Sequence, residues 1–483
     1  MGLLGILLGL ALLVWLSFRA WSVLVLAPAG ALVAAAAASE PLLAHWTQTF
    51  MGSAAGFLAS FFPLFLLGAI FGKLMDDSGS VSAIANWMTE RLGPRRAMLA
   101  VVLAGALVTY GGVSLFVAFF VIAPMAQALF RAADIPNRLA PAAIALGTST
   151  FTMSALPGTP AIQNAIPMPF FGTTPFAAPG LGIIAAAVML GFGLWWLARA
   201  EARARRAGEG YGGSLGSAAA AADDPIVRER ATTSGSFDPA EAKHGHHGGE
   251  PPGTLVAAAP LVVVIVVNLL MSMWVLPRVN TEFLAEARWG GVQLSAVSGV
   301  WSVIVALLAA IVVLVVLNRR RLPALRATVD AGANAAVLPV LSVASLVGFG
   351  AVVAAMPAFE LVREWVLGIE GGPLVSLAIA TNILAALTGS ASGGLTIALD
   401  ALGPTYLALA AQQGIDPALL HRVAVIGAGT LDSLPHNGAV VTLLAVCGST
   451  HGKSYFDIVM VGIVGAILGL VAVIVLGGTF GSF

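Results

Sequence analysis

Apolar runs long enough to fill a bilayer dominate the chain. A hydrocarbon core needs about 20 such residues per helix. Runs near that length occur at 2–18, 21–39, 54–73, 175–198, 254–277, 296–318, 330–355 and 458–480. Two more stretches, 97–172 and 374–447, are as apolar but are interrupted by clusters of Gly, Ser, Thr, Asn and Pro. Interruptions at membrane depth free backbone N–H and C=O groups, which is tolerated only against protein or a water-lined cavity. Each interrupted stretch is therefore expected to hold one re-entrant hairpin and one broken crossing. The hairpins fall at about 97–131 and 374–412, the broken helices at about 139–172 and 419–447. Segment 80–92 spaces Val81, Ile84, Ala85, Met88 and Leu92 along one face, as an interfacial helix or a packed connector would.

Composition agrees with a membrane protein. Of 483 residues, 59% are hydrophobic and only 10% charged, against roughly 25% charged in a soluble domain. Basic and acidic residues balance at 23 each, so no basic surplus exists for a nucleic-acid footprint. The single cysteine, Cys447, excludes an intramolecular disulfide and a cysteine-based zinc module. Residues 2–18 lack a preceding basic cluster and are followed by further spans, which reads as a first membrane helix rather than a secretory signal. The charged, Gly/Ser/Ala-rich stretch 199–253 reads as a disordered cytoplasmic linker. Its His244, His246 and His247 could bind a metal only with a rigid scaffold that this composition does not offer.

Basic residues concentrate on the cytoplasmic side. With the N-terminus outside, all of the 23 Lys and Arg except Arg278, Arg288, Arg363 and Arg422 fall inside. Both termini are then outside.

Landmarks recur at an offset of 278 to 281 residues: Trp87 with Trp365, Pro94 with Pro373, Pro124 with Pro404, Pro136 with Pro417, and Leu156-Pro157 with Leu434-Pro435. The ordered set indicates two repeats, 1–198 and 254–483, joined by the linker. Five crossings per half, one of them broken, make the count odd, so the second half enters the membrane upside down. The expected fold is an all-α polytopic membrane protein of two inverted repeats, each with five crossings and one re-entrant hairpin. Secondary transporters built this way hold substrate near the midplane, between discontinuous helices of the two halves.

The breaks carry the candidate chemistry. Pro157 and Pro160 interrupt the first broken crossing, because each removes an N–H and obstructs the preceding turn. The resuming half-helix presents orphan N–H groups and the positive end of its dipole, which suit an anion. Thr159, Gln163 and Asn164 lie where a carboxylate could be reached, with Ser433, His436, Asn437 and Thr442 in the analogous places of the second break. The hairpin tips add Thr109, Gly111, Gly112 and Ser114, and Ser390, Ser392 and Gly393, small residues whose backbone can approach a ligand. Asp432, His436 and Asp400 are ionisable at membrane depth and are the candidates for proton coupling. Asp76 and Asp77 read as a solvated cap for segment 80–92. Neither break holds Lys or Arg, which leaves a carboxylate to dipoles and hydroxyls and favours monoanions.

At these residues the chain resembles a known family. GKLMDDSGS (72–80), ALPGTPAIQNAIP (155–167), TGSASGG (388–394) and LDSLPHNGAVVTLL (431–444) resemble the GntP family of gluconate-type permeases, within a superfamily of proton- or sodium-coupled anion symporters. The resemblance implies a bacterial inner-membrane proton symporter for a small hydroxy-monocarboxylate. Gluconate members carry a histidine near the first break and an acidic residue after the Asn of the second. Here the first break has no histidine and Gly438 follows Asn437, a departure from the gluconate pattern; the branch that this chain resembles is described as transporting hydroxybutyrate-like acids, which the resemblance then implies.

No cofactor is expected beyond the coupling ion, a proton or alternatively sodium. The partners are a small carboxylate and the lipid bilayer, with a homodimer left open. Two rivals stand beside symport: a passive anion channel, and a membrane-embedded hydrolase, since Asp432, Ser433 and His436 contain the residue types of a nucleophilic triad.

Overall fold

The computed structural model describes residues 2–19, 21–212, 250–435 and 437–483. The histidines of the linker and His436 therefore lie outside the described residues. Among the described residues no strand occurs.

In the first half, α1 (Gly2–Phe18) and α2 (Val23–Ala37) form an antiparallel pair. Next come the long α3 (Leu42–Asp77) and α4 (Ser80–Leu92), which buries Val81, Ile84 and Ala85. The chain then bends by 100° into α5 (Ala97–Tyr110) and turns at a tip into α6 (Leu115–Ala132). The first broken crossing is assembled from α7 (Ala140–Thr148), α8 (Phe151–Ser154), α9 (Ile162–Ala165) and α10 (Pro167–Phe171). The half ends with α11 (Pro179–Arg206).

The second half repeats the order. It runs through α12 (Thr254–Arg278), α13 (Leu294–Asn318), α14 (Leu325–Ala355) and the short α15 (Phe359–Leu367). A second helix–tip–helix unit follows, α16 (Gly372–Thr388) and α17 (Ala391–Gln413). The second broken crossing consists of α18 (Pro417–Thr430) and α19 (Gly438–Val446), and α20 (His451–Phe480) ends the chain.

Seven helices among the described residues are long and apolar enough to cross a membrane, or eight if the bent α4–α5 pair counts as one. The seven include α17, which the sequence places as a hairpin arm. The first two helices are shorter, at 17 and 15 residues. The apolar side chains of these helices face outward in quantity, among them Leu4, Leu8, Leu255, Val312 and Val316. Trp15 and Trp274 are exposed and lie 4.5 Å and 4.7 Å beneath the guanidinium groups of Arg19 and Arg278. An outward apolar face with tryptophan–arginine pairs at helix ends is the pattern of a multi-pass membrane protein.

Helices α3 and α14 lie antiparallel and form the centre of the molecule. Thr328 bonds Asp77, a β-carbon at Gly332 would fall 2.7 Å from Ile70 Cα, and one at Gly348 would fall 2.7 Å from the Phe50 ring. Glycine is what lets the two backbones come this close. Around the pair, α2 packs on α14 as α13 packs on α3, α5 on α7 as α16 on α18, and α11 on α20.

Helix α11 runs on to Arg206, eight residues past the apolar run that predicts it. A Glu201–Arg205 pair and the stacking of Arg199 and Arg203 on Trp195 and Trp196 carry the helix beyond the apolar region. The start of the expected linker is docked too. Tyr211 N donates to Asp134 (2.9 Å), and Arg138 forms a two-pronged pair with Glu209 (2.7 and 3.1 Å).

Candidate functional site

Freed carbonyls decide the local structure of the first break. Between α8 and α9 the chain runs through 155–161 with no helix, turning at Gly158, whose φ of 80° few side chains would accept. Every carbonyl needs a donor in this dry setting. Tyr110 Oη donates to Pro157 O (2.7 Å) and Asn268 of α12 donates to Gly158 O (3.0 Å). Asn164 Nδ2 donates to Thr159 O and Pro175 O, both at 3.0 Å. Arg422 of α18, fully buried, donates to Ser154 O (3.1 Å), to Ala177 O (2.6 and 3.2 Å) and to Asn164 Oδ1 (3.3 Å). The neighbouring His421 meets Thr173 Oγ1 (2.7 Å) and Asn164 Oδ1 (3.2 Å).

The second break is held from the opposite polarity. Asn437 caps α19, its Oδ1 accepting from Ala439 N (2.7 Å) and Val440 N (3.4 Å). Its Nδ2 donates to Gly389 O (2.8 Å) and to Asp432 Oδ1 (2.9 Å). That same carboxylate oxygen accepts from Ala391 N (2.8 Å), the first N–H of α17. The tip of the second helix–tip–helix unit is thus fastened to the second break through one carboxylate and one amide. Outside them, Tyr455 Oη donates to Ser433 O and His451 Nε2 meets Pro435 O.

Both tips and both breaks border one cavity of about 270 Å³. One wall is continuous helix, α3 from Leu64 to Asp76 and α14 from Ala335 to Leu346. The thirteen residues of α3 from Leu64 to Asp76 span about 18 Å. The other wall is broken. Thr109, Gly112, Ser114 and Gln163 line it from the first half, and Ser390, Ser392, Asp432 and Asn437 from the second. The first tip lies toward the Lys73 end, since a β-carbon at Gly72 would sit 3.5 Å from Ser114 N. The second tip lies toward Leu346, whose Cδ1 would be 2.3 Å from a β-carbon on Gly393.

Other candidate residues face elsewhere. Thr159 and Asn164 are buried away from the cavity and are spent on the break itself, Thr159 Oγ1 accepting from Ala161 N (3.3 Å). A β-carbon on Gly111 would run into Leu261, and Gly393 packs on α14 behind the tip. Ser433 and Thr442 are buried outside the lining, and Asp400 is half-buried within α17, also outside it. Nothing is described for His436.

Three polar side chains that the sequence does not mark as ligand-facing line the cavity. Lys73, 5% exposed, stands there with Asp76. Its Nζ lies 2.9 Å from Asp77 and 3.7 Å from Asp76, and Thr328 Oγ1 donates to Asp77 at 2.6 Å. Asp77 is fully buried, so the pair is no solvated cap, and the cavity does contain a cation, supplied by an unbroken helix. Ser342 of α14 is the third, and its buried Oγ has no hydrogen-bond partner among the described residues. The sequence signal for the first two is the charged cluster at the end of the apolar run 54–73; Ser342 carries none.

Comparison with known proteins gives this cavity a context. The uncharacterized transporter YxjC of Bacillus subtilis (strain 168) is 38% identical over 482 residues, covering 99% of this chain and 100% of its own length. The GntP family permease profile matches residues 1–170. The chain belongs to the GntP family of permeases. It is also similar to the high-affinity gluconate transporter of Escherichia coli (strain K12), at 33% identity over 162 residues, or 32% of this chain and 35% of that one. Among solved structures the permease shares its fold with Neisseria gonorrhoeae MtrF, described as one of a class of antimetabolite efflux pumps. That match has a TM-score of 0.55 and 14% identity, over 91% of this chain and 84% of that one. It also resembles the Alcanivorax borkumensis YdaH transporter, with a TM-score of 0.51 and 17% identity over 91% and 88%. The family and these relatives are transporters, not enzymes, which removes the hydrolase reading.

Proposed function

We propose that this permease carries a small hydroxy-monocarboxylate, gluconate- or hydroxybutyrate-like, into the cell by proton symport across a bacterial-type inner membrane. One observation carries the reading: both tips and both breaks border a single cavity lined by hydroxyls, amides, the Lys73–Asp76 pair and a second carboxylate, Asp432, that is itself bonded to a tip. The similarity to a gluconate transporter supports the substrate class.

The inverted-repeat architecture, with 1–198 and 254–483 as its halves, both termini outside and 199–253 in the cytoplasm, belongs to the same proposal. Reciprocal packing supports it, because α2 meets α14 just as its counterpart α13 meets the counterpart α3. Coupling is assigned to Asp432. Ionised, it accepts the Ala391 N–H and holds the tip of α17 against the break; protonated, it is a weaker acceptor, and the tip is free to move. His436 and Asp400 are the further coupling candidates from the sequence, and Asp400 lies outside the cavity lining. No cofactor is invoked.

Uptake of labelled 3-hydroxybutyrate and gluconate into proteoliposomes tests the reading. Accumulation driven by an inward proton gradient and abolished by an uncoupler is the expected result. Accumulation that follows a sodium gradient at constant pH would replace the proton with sodium, and equilibration without accumulation would make the protein a passive channel.

A further inference from the structure

The Lys73 cluster has no role in the coupling scheme above, yet it puts a nearly buried cation on the cavity wall. Placing an ammonium in such a site is costly unless it is paired and hydrogen-bonded. Among the described residues two carboxylates lie near Lys73, and they differ in kind. Asp77 is the fixed one: its side chain is fully buried, 2.9 Å from Nζ, and held on its other oxygen by Thr328 of α14. Asp76 is looser, at 3.7 Å, with 15% of its side chain exposed and a position on the cavity wall. The first keeps the ammonium in place whether or not a ligand is present. The second lines the cavity beside the ammonium.

We propose that Lys73 is the anchor for the substrate's carboxylate and that Asp76 is its exchangeable partner, displaced from the ammonium when substrate binds. This rests on the carboxylate-transport reading and specifies which side chain recognises the carboxylate. A carboxylate reaching Nζ forms a charge-assisted hydrogen bond, the kind roughly twice as strong as a neutral one. The N-terminal turn of α6 lies beside the same spot, with Ser114 N near Gly72, and its dipole adds in the same sense. A competing anion already in place lowers affinity and excludes neutral solutes, because only a carboxylate can substitute for Asp76 at the ammonium. Selectivity for acids over their uncharged analogues thus originates on an unbroken helix, not in the breaks.

Binding of 3-hydroxybutyrate, of gluconate and of the neutral twin 3-hydroxybutyramide to purified protein, by titration calorimetry, tests this. Lys73→Gln is expected to weaken acid binding at least about tenfold and to abolish the preference for acid over amide. Asp76→Asn removes the competitor while keeping the Lys73–Asp77 pair, and is expected to tighten acid binding about three- to tenfold. A cluster that served only to hold α3 and α14 together would give losses in both variants, so opposite signs are the decisive result. Should Lys73→Gln fail to fold, Asp76→Asn alone decides: weaker or unchanged acid binding overturns the proposal. Wild-type protein that binds neither acid sinks the transport reading itself, whereas wild-type binding with an unaltered Lys73→Gln sinks only the anchor.

Discussion

The two breaks share a Leu-Pro pair and are held by groups of opposite charge. At the first, freed carbonyls converge on donors, and the charged one among them is Arg422 of the other half, which makes four hydrogen bonds. At the second, N–H groups converge on acceptors, the Asp432 carboxylate and the Asn437 amide oxygen. A guanidinium does not give up its proton in a protein, whereas a carboxylate can gain one. The first break is thus fixed under all physiological conditions, and the second has a fastener that protonation can loosen. Under the proposed coupling scheme the two breaks divide the labour, one serving as a rigid frame and the other as the part that moves.

The largest effect is expected at the rigid break. Arg422→Leu strips the donor from two carbonyls and from Asn164 in a dry interior, and each buried acceptor left unsatisfied costs about 1–3 kcal/mol. Folded yield and the thermal midpoint in detergent should both drop sharply, with Arg422→Lys intermediate because an ammonium cannot span all four acceptor contacts. A midpoint equal to wild type would show that the first break does not depend on its cation, and the contrast between the breaks would lose its basis.

At the movable break the expected loss is of function. Asp432→Asn keeps an oxygen to accept from Ala391 N but cannot titrate, so accumulation against a gradient should fail while exchange of substrate across the membrane persists. If the variant still concentrates substrate under an imposed pH gradient, Asp432 is not the coupling group.

A paired comparison separates the breaks more finely. Asn437→Leu removes the hydrogen bonds to Gly389 O and Asp432, and should weaken substrate binding by about 1.5–3 kcal/mol through loss of the docked tip. Thr159→Val deletes only a long local bond in the first break, so its effect should be about 1 kcal/mol or less and should fall on stability. Equal losses of affinity in both variants would place a ligand at both breaks and contradict the division of labour.

Much of the frame is legible in the sequence because it depends on one-dimensional features. Apolar runs place the long helices, and Pro157, Pro160 and Pro435 mark where helix cannot continue. What escapes is pairwise. Counting basic residues by loop assigns Arg422 to the outer surface, although it stands inside the broken crossing 419–447 in the apolar text LLHRVAVIGAG. Its partners, Ser154 O and Ala177 O, are about 250 residues away and carry no sequence signal. Asn164 and Thr159 read as ligand-facing because amides and hydroxyls near a break suit an anion, but the freed carbonyls of that break claim the same donors first. The charge of Lys73 assigns it to the cytoplasm, and only the packing of Thr328 against Asp77 shows that it is held inside.

The smallest effect is expected at the surface, where the crossing that leads into the rigid break is tied down. Arg138, just before α7, pairs with Glu209 and also donates to Asp457 of α20 (2.9 Å). The hydrogen bond from Arg138 holds the Glu209 carboxyl below the ordinary carboxylate range. A lowered value means that the folded protein prefers the ionised form. The stabilisation is therefore complete above the unfolded carboxylate range, near pH 4.3, and fades as pH falls toward the lower folded value. Glu209 is largely exposed, so the pair is worth less than about 1 kcal/mol. Glu209→Gln should lower the thermal midpoint slightly at pH 7, and the difference from wild type should shrink as the pH is lowered below the unfolded carboxylate range. A variant that loses as much stability at pH 3 as at pH 7 would show that the side chain acts through packing, and that the rigid break needs no charged tie at the membrane surface.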